Sequence, residues 1–343
     1  MAVAMRKPPP IAIAYIFLFG CTVLLLGHVV LNRHHLSELS ALANQDQERR
    51  IPRNDGGVVH NESGLGRGGS GEENDRASSD SIRNQVTALL NISVPITLDK
   101  ECLTSSRAAV GFSCGETHVV RFKGYADLPK RNLSRVLPDL DLFRGVSYDS
   151  CAVVGNRGTL LESELGEEID AHAVVIRFNG GITEGYEQFV GTKTTFRILN
   201  RPDSASPSTE AGEVTIATVR DHQLRTWVRS VIEHPERSDS SYVFDPEFLC
   251  YCWSWVGNKG HKPSSGLVGL VMALKTCKTT TLFGFSSSSY FSDTSRPHYF
   301  DWERPAKGRE RVHPFQHEQK LYQHLKNLGI INIKETSHDS SHS

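Results

Sequence analysis

Apolar runs alternate with mixed polar and apolar segments along the second half of the chain. One segment, SSGLVGLVMALKTC, has apolar residues dense enough for a buried helix just ahead of the last run. Strands that alternate with helices are typical of a mostly parallel sheet covered on both faces, and such sheets bind ligands at the carboxyl ends of their strands. The pattern therefore predicts an α/β fold. The predicted strands are CAVVG, HAVVIRF, TTFRIL, VTIATV and TTTLFGF.

A longer apolar stretch lies near the beginning of the chain, at residues 11–31. It has two polar positions, and a helix of this length spans a hydrocarbon core of about 30 Å. Two basic residues precede it and one follows, which mildly favours a cytoplasmic N-terminus. A cleaved signal peptide would need a small-x-small site close behind a shorter run, whereas the triplet ALA at 41–43 lies well beyond it. We predict a retained transmembrane anchor.

The segment after the anchor is too poor in apolar residues to form a core, and we predict a flexible stem there. A short helix at residues 81–90 fits within it. Length and apolar content suffice for one sizeable core beyond the stem. The predicted organisation is a short cytoplasmic tail (1–10), the anchor (11–31), the stem (32–98), a globular domain (99–337) and a disordered tail (338–343).

Sequons and cysteines indicate the secretory pathway. Three N-x-S/T sequons, at Asn61, Asn91 and Asn132, lie on the same side of the anchor. Of seven cysteines, six follow the anchor, an even number that fits disulfides in an oxidising compartment and leaves their pairing open. We therefore predict a single-pass type II protein with a lumenal globular domain. A cytosolic domain with reduced thiols is the alternative.

Charge argues against one class of partner. The 343 residues carry a formal net charge of −1, whereas proteins that bind nucleic acids usually show a basic face. We expect no nucleic-acid partner.

The loop after the first predicted strand reads GNRG and contains Asn156. Neither the dinucleotide fingerprint G-x-G-x-x-G nor a phosphate-binding G-x-x-x-x-G-K-[ST] loop occurs there. The amide of Asn156 can donate and accept hydrogen bonds to a ligand. Alternatively, Asn156 and Gly158 simply shape a turn.

A second candidate site is the start of the predicted helix. Pro263 followed by Ser264, Ser265 and Gly266 is typical of a helix N-terminus. Unpaired N–H groups, two hydroxyls and the positive end of the helix dipole would suit a phosphate there. Plain capping by a serine explains the same residues equally well.

Two histidine segments near the C-terminus are candidates for acid–base chemistry: HYFD, which begins at His298, and HPFQHE, which begins at His313. Pro314 suits the first turn of a helix, so His313 would precede that helix and Glu318 would lie within reach of it. A carboxylate near an imidazole can orient it and strengthen it as a base. Zinc hydrolysis is disfavoured, since neither H-E-x-x-H nor H-x-x-E-H is present.

One acidic triplet matches D-x-D by its letters, at Asp139-Leu140-Asp141. Carboxylates of this kind hold divalent cations beside substrate phosphates in metal-dependent enzymes. The triplet precedes the first confident strand, and we interpret it as surface acid.

Four segments, in order over residues 151–321, resemble the motifs of the sialyltransferase family of Golgi glycosyltransferases. SCAVVGNRG through GYEQFVGTKTTFRILN resembles the large motif, PSSGLVGLVMALKTCKTTTLFGFS the small motif and HYFD the third; HPFQHE fits the final H-x-x-x-x-E motif. The resemblance implies a Rossmann-like nucleotide-sugar glycosyltransferase fold, a CMP-activated donor, inversion at the anomeric carbon and no metal.

The same resemblance assigns donor contacts. By position in the motifs, Asn156 and Asn179 contact the donor nucleotide, and Ser265 and Gly266, with Ser264, cradle CMP at the helix start. The leaving CMP gains negative charge in the transition state, which preorganised N–H groups and hydroxyls stabilise.

The resemblance also implies roles for two histidines and one disulfide. His298 matches the histidine that contacts the donor phosphate, and His313 matches the base that takes the proton from the acceptor hydroxyl. The family pairs the large-motif cysteine with the small-motif cysteine, here Cys151 and Cys277. The pairing stays open for Cys102, Cys114, Cys250 and Cys252.

The function implied is transfer of sialic acid from CMP-sialic acid to a terminal galactose of a glycoprotein or oligosaccharide, at the Golgi membrane and without a cofactor. Arg157 and Gly180-Gly181 depart from the commoner family pattern. Two alternatives follow: a homologous transferase that uses CMP-Kdo or UDP-galactose, and a catalytically silent Golgi binding protein. The retained histidines argue against the silent protein.

Overall fold

The chain forms two compact units, Met1–Gln85 and Val86–Ser343. None of the helices in the described ranges is long and apolar enough to cross a bilayer. The predicted anchor, Asn61 and Cys102 lie outside those ranges. The computed structural model describes residues 70–101, 112–114, 120–122, 130–201, 212–218, 221–285, 296–303 and 309–334.

The helices alternate with the strands of the main sheet, as the sequence predicts. They are α1 (Ser70–Leu90), α2 (Lys130–Val136), α3 (Gly166–Asp170), α4 (Glu187–Val190), α5 (Asp221–Glu233), α6 (Pro246–Ser254), α7 (Ser265–Thr276), α8 (Arg309–Val312) and α9 (Phe315–Asn327). In α6, the side chain of Asp245 accepts from the N–H of Glu247, and proline occupies the first turn.

The strands of the described residues are β1 (Phe112–Cys114), β2 (Val120–Phe122), β3 (Tyr148–Val154), β4 (Val174–Phe178), β5 (Phe196–Leu199), β6 (Val214–Ala217), β7 (Ser241–Val243), β8 (Cys277–Phe283) and β9 (Asn332–Lys334). Seven of them form a parallel sheet in the order β7-β6-β5-β4-β3-β8-β9. Strands β1 and β2 form a separate antiparallel pair. Strands β4 to β7 are added on one side of β3 and strands β8 and β9 on the other, and the switch point between β3 and β8 opens a crevice for ligands at the carboxyl ends.

Both faces of the sheet are covered. On one face α7 packs so closely that a Cβ on Gly269 would lie 2.7 Å from the ring of Phe178. On the other, Val154 and Val175 join a cluster with Tyr299 and with residues of α3 and α4. Residues alternate between the two faces along each strand, so the continuous apolar runs of β3 and β4 are explained by burial on both sides.

Part of the predicted stem is folded, which corrects the boundary expected from composition. Helix α1 lies within it, and Leu89, Ile96 and Leu98 are buried. Leu98 packs in a cluster with Trp227. The compact unit accordingly begins at Val86 rather than at residue 99, because a few well-spaced apolar side chains anchor a segment that is polar on average.

Two disulfides cross the described structure. Cys151 in β3 is bonded to Cys277 at the start of β8, which is the pair that the family resemblance implies. Cys114 is bonded to Cys250, and Cys252 is a buried free thiol. The Cys151–Cys277 bond joins the two strands that flank the switch point.

Candidate active site

Three asparagines follow the carboxyl ends of three neighbouring strands. Asn156 comes two residues after β3, Asn179 directly after β4 and Asn200 directly after β5. Because these strands are parallel neighbours, the three side chains meet at one edge of the sheet. Sequence reasoning did not single out Asn200. Its place at the end of the predicted strand TTFRIL was the signal available.

Asn156 links the β3 loop to two other segments. Its side-chain amide donates to the carbonyl of Phe178 at 3.1 Å, and its own carbonyl accepts from the N–H of Tyr299 at 2.9 Å. These bonds hold the end of β4 and the HYFD segment against the same loop. Asn156 is half-buried, so it is a structural link at the edge of the crevice.

Asn179 adopts a left-handed conformation with φ of 48°, which asparagine tolerates better than most residues. Its side-chain oxygen accepts from the N–H of Asn200 at 2.8 Å. The turn then continues to Gly181, where a Cβ would lie 2.7 Å from the side-chain oxygen of Asn156. The predicted donor residues Asn156 and Asn179 are therefore in adjacent, tightly packed turns.

Asn200 connects these turns to the start of α7. The hydroxyl of Ser265 donates to the side-chain oxygen of Asn200 at 2.7 Å. Asn200 thus joins two segments: its N–H is bonded to the turn after β4, and its side chain is bonded to the start of α7. Residues of the large motif and of the small motif are therefore in direct contact.

The start of α7 leaves two N–H groups for a ligand. Within the described residues, the N–H of Ser264 donates to Glu318 and that of Leu267 to the hydroxyl of Ser264. No acceptor within the described part of the chain is assigned to the N–H groups of Ser265 and Gly266. A pair of such groups at a helix N-terminus favours an anion.

The N–H and hydroxyl of Ser264 are already hydrogen-bonded within the protein. Its hydroxyl donates to Glu318 Oε2 at 2.6 Å, its N–H donates to Oε1 at 2.9 Å, and its oxygen caps the helix by accepting from Leu267 at 3.1 Å. The donor contact predicted for Ser264 thus competes with three internal bonds. Ser265 and Gly266 are better placed for that role.

Glu318 does not hold His313, which corrects the expectation from the HPFQHE segment. The carboxylate of Glu318 is 2% exposed and accepts from Ser264 and from the hydroxyl of Tyr322 at 3.3 Å. Burial raises its pKa to about 7, against the lowering effect of the Ser264 and Tyr322 hydrogen bonds. Glu318 lies in the first turn of α9, and its side chain faces α7 rather than the residue before its own helix.

The raised pKa of Glu318 predicts a pH dependence of stability. Its folded pKa lies above the ordinary 4.5, so between pH 4.5 and about 7 the folded chain retains a proton that the unfolded chain releases. The free energy of unfolding should fall as pH rises through this range, by at most about 1.4 kcal/mol per unit, and then level off. Urea unfolding from pH 4.5 to 8 measures it. In Glu318→Gln this component should vanish; an identical slope in the variant would contradict the assignment.

His313 is oriented by a backbone carbonyl. Its Nδ1 lies 3.2 Å from the carbonyl oxygen of Pro263, and a carbonyl only accepts, so the bond places the proton on Nδ1 and the lone pair on Nε2. Pro263 immediately precedes Ser264, the cap of α7. The half-buried imidazole is therefore beside the helix start, with its basic nitrogen defined.

His298 is oriented by an acid of its own segment. Its Nδ1 donates to the Asp301 carboxylate at 2.9 Å, and its ring stacks on Phe300 with centroids 5.3 Å apart. The next residue, Tyr299, is bonded to Asn156 and donates its hydroxyl to the carbonyl of Ile182. His298 is thereby fixed beside the β3 and β4 loops.

A continuous series of contacts joins the residues predicted to form one site. From the His298 segment it runs through Tyr299 to Asn156, and across the adjacent turn to Asn179. It then passes through Asn200 and Ser265 to the start of α7. There Pro263 holds His313 and Ser264 holds Glu318. All four motif segments are contiguous in the fold.

The acidic triplet has a structural role. Asp139 is exposed and pairs with Lys100 at 2.7 Å, as surface acid should. Asp141, however, is half-buried and accepts from the N–H groups of Ile96 and Thr97 and from the Thr97 hydroxyl. Across the described ranges, no group of three potential metal ligands is found.

Two of the predicted glycosylation sites fall on described residues. Asn91 is exposed directly after α1, and Asn132 is half-buried within α2. An exposed position after a helix suits a bulky glycan better than a helical one.

The sequence model described as Glycosyltransferase family 29 (sialyltransferase) matches residues 116–222 and 213–330. The chain belongs to this family. The match includes every motif residue described above, so the contiguous site is the site of a family 29 chain.

Relatives of this family 29 chain include plant and animal proteins. "Sialyltransferase-like protein 2" of Arabidopsis thaliana is 31% identical over 59% of this chain and 42% of its own length. "Beta-galactoside alpha-2,6-sialyltransferase 2" of Takifugu rubripes is 31% identical over 52% of this chain and 38% of its own. The chain thus spans less than half the length of these relatives.

Solved structures share the fold. A mammalian sialyltransferase is 28% identical and covers 60% of this chain and 76% of its own, with a TM-score of 0.50. Another, in complex with Gal-beta-1-3GalNAc-ortho-nitrophenol, is 25% identical and covers 71% and 90%, with a TM-score of 0.54. The parallel α/β sheet is that of the sialyltransferases.

Proposed function

We propose that this chain transfers sialic acid from CMP-sialic acid to a terminal galactose of a glycoprotein or oligosaccharide, with inversion and with His313 as the general base. The observation that carries the proposal is the position of His313 beside the start of α7. The bond to Pro263 defines Nε2 as its basic nitrogen, and the adjacent N–H groups of Ser265 and Gly266 suit a phosphate.

The chemistry follows from this arrangement. The acceptor hydroxyl attacks the anomeric carbon while His313 Nε2 takes its proton, which makes the oxygen a competent nucleophile. The bond from that carbon to the CMP phosphate oxygen breaks, and the electron pair leaves with CMP. The N–H groups of α7 stabilise the departing charge, as does His298 in its imidazolium form, in which Nε2 can donate to the phosphate while Nδ1 donates to Asp301. These groups stabilise the negative charge that a bound cation stabilises in metal-dependent enzymes. We therefore propose that no metal takes part.

The relatives support the acceptor class, and the disulfides support the location. One relative is named for a beta-galactoside substrate, and one structure contains a galactose-ended disaccharide. We propose the same acceptor class for this chain, and a type II placement in the Golgi membrane with the catalytic unit in the lumen. The disulfides Cys151–Cys277 and Cys114–Cys250 fit that oxidising compartment.

A second donor has support from one relative and one residue. The Arabidopsis relative is named only as sialyltransferase-like, and Arg157, which departs from the commoner family pattern, is buried directly beside Asn156. Because this departure lies beside a residue expected to contact the donor, we propose CMP-Kdo as the alternative donor.

Donor competition tests both proposals. Purified full-length protein is given CMP-sialic acid, CMP-Kdo or UDP-galactose with a galactose-ended glycoprotein, and nucleotide release and product linkage are measured. Transfer from CMP-sialic acid, undiminished by EDTA, is expected. Transfer only from CMP-Kdo or UDP-galactose would select the alternative donor, and loss in EDTA with recovery in Mn²⁺ would overturn the metal-free mechanism. No turnover with any donor, despite CMP binding, would favour a silent binding protein.

A further inference from the structure

Two fully buried arginines lie side by side in the sheet. Arg177 of β4 and Arg197 of β5 are paired in register, and both are almost inaccessible to solvent. Their side chains are hydrogen-bonded to different loops. Arg177 donates to the carbonyls of Val190 and Lys193, in the segment before β5, whereas Arg197 reaches the turn after β4.

The contacts of Arg197 form a clamp. Its Nη1 donates to the carbonyls of Asn179 at 3.1 Å and Gly181 at 2.8 Å. Its Nε and Nη2 donate to the two carboxylate oxygens of Glu213 at 2.7 and 3.0 Å. A bidentate pair of this kind fixes the plane of the guanidinium, and that plane determines where Nη1 points.

Stability alone does not account for this pair. The side chains of Arg197 and Glu213 are 0% and 3% exposed, and withdrawing two charges from water costs about as much as their attraction returns. Apolar residues of the same volume are often as stable or more so. What apolar residues cannot do is hold two carbonyls of a turn at a set distance.

The turn held by Arg197 is part of the candidate site. Asn179 has a positive φ of 48°, which asparagine tolerates better than most residues but which still costs free energy that the surrounding contacts must offset. Gly181 is packed so closely that a Cβ there would lie 2.7 Å from the side-chain oxygen of Asn156 and would force a shift. Any movement of this turn would therefore displace both asparagines that the donor nucleotide is expected to meet.

We propose that Arg197, held in place by Glu213, is a positioning residue that sets the turn at Asn179–Gly181 for the donor nucleotide. The inference rests on the proposed function, because the donor contacts belong to that function. It adds a residue pair behind the contact surface that controls donor affinity without touching the donor.

Three variants test the role. Arg197→Lys keeps the charge opposite Glu213, but an ammonium cannot pair bidentately and also reach both carbonyls. The double variant Arg197→Met/Glu213→Leu buries no charge and should fold even if the lysine variant does not. Arg177→Met is the matched control, since it removes an equally buried arginine from the adjacent register position.

Calorimetric CMP binding, steady-state kinetics and thermal unfolding are measured for each. In both Arg197 variants the Kd for CMP and the KM for donor should rise about tenfold, the scale of one hydrogen bond, while the acceptor KM stays unchanged. Arg177→Met should lower the melting temperature and leave the Kd for CMP unchanged. Unchanged CMP affinity in the Arg197 variants, or an equal loss in Arg177→Met, would overturn the proposal.

Hydrogen exchange separates this inference from the proposed function. The N–H of Gly181 donates to the carbonyl of Phe178 across the turn, so it should exchange slowly in the parent without any ligand and faster in Arg197→Lys. Fast exchange in the parent would contradict positioning by Arg197, whatever the donor is. A parent that shows slow exchange but binds no CMP would instead contradict the proposed function.

Discussion

Replacing His313 by alanine is expected to reduce turnover by about 10²–10⁴-fold, the usual contribution of a general base, with little change in CMP affinity. The imidazole is hydrogen-bonded to the carbonyl of Pro263, whereas the N–H and hydroxyl of Ser264 at the start of α7 are bonded to Glu318. The helix should therefore keep its place when His313 is removed. Transfer from CMP-sialic acid to a galactose-ended glycoprotein measures turnover, and calorimetry measures CMP binding.

His317→Ala is the matched control for this prediction. His317 lies four residues further on, in the first turn of α9, and is exposed. Its removal should leave both turnover and CMP affinity at the level of the parent. If His313→Ala turned over as fast as the parent, the base assignment would be wrong.

Replacing Glu318 by alanine is expected to destabilise the fold by about 3 kcal/mol, because it leaves buried polar groups of Ser264 unpaired and opens a cavity. Glu318 accepts from the N–H and the hydroxyl of Ser264, and Ser264 caps α7. The helix start should shift, and a displacement of about 1 Å at a reacting site can cost roughly a hundredfold in rate. Urea unfolding measures the first effect, and turnover together with donor KM measures the second.

Glu318→Gln distinguishes the role of the hydrogen bonds to Ser264 from the role of the carboxylate charge. The glutamine has the same length and its carbonyl can accept from the N–H of Ser264, so most of the stability and activity should be retained. Alanine and glutamine variants with equal donor KM values would show that the contact with Ser264 does not place the helix start.

Much of the fold could be predicted because its central elements are buried on both sides. The five predicted strands are all present, since runs such as AVV in β3 and VVI in β4 leave little choice but a covered parallel strand. Helix α7 follows the capping sequence at Ser264. The edge strands β7 and β9 were not predicted, because each has three residues and too few positions to display a period.

The site was harder to predict, because its decisive contacts join distant parts of the chain. Glu318 is near His313 in sequence, yet its carboxylate is hydrogen-bonded to Ser264, 54 positions away. Asp141 was predicted to be a surface acid, but it accepts hydrogen bonds from the N–H groups of Ile96 and Thr97, which lie in the segment predicted to be a flexible stem. Local spacing indicates which groups are available, whereas tertiary packing decides which of them meet.

The chain just before the predicted domain boundary is fastened to the enzyme. The hydroxyl of Tyr251 donates to the carbonyl of Leu89, and the ammonium of Lys275 donates to those of Leu90 and Ile92. If the chain is anchored as proposed, a protease that releases a working enzyme is expected to cut on the N-terminal side of Val86. Cleavage near residue 98 would strip Leu89 and Ile96 from the core and release a fragment prone to aggregate.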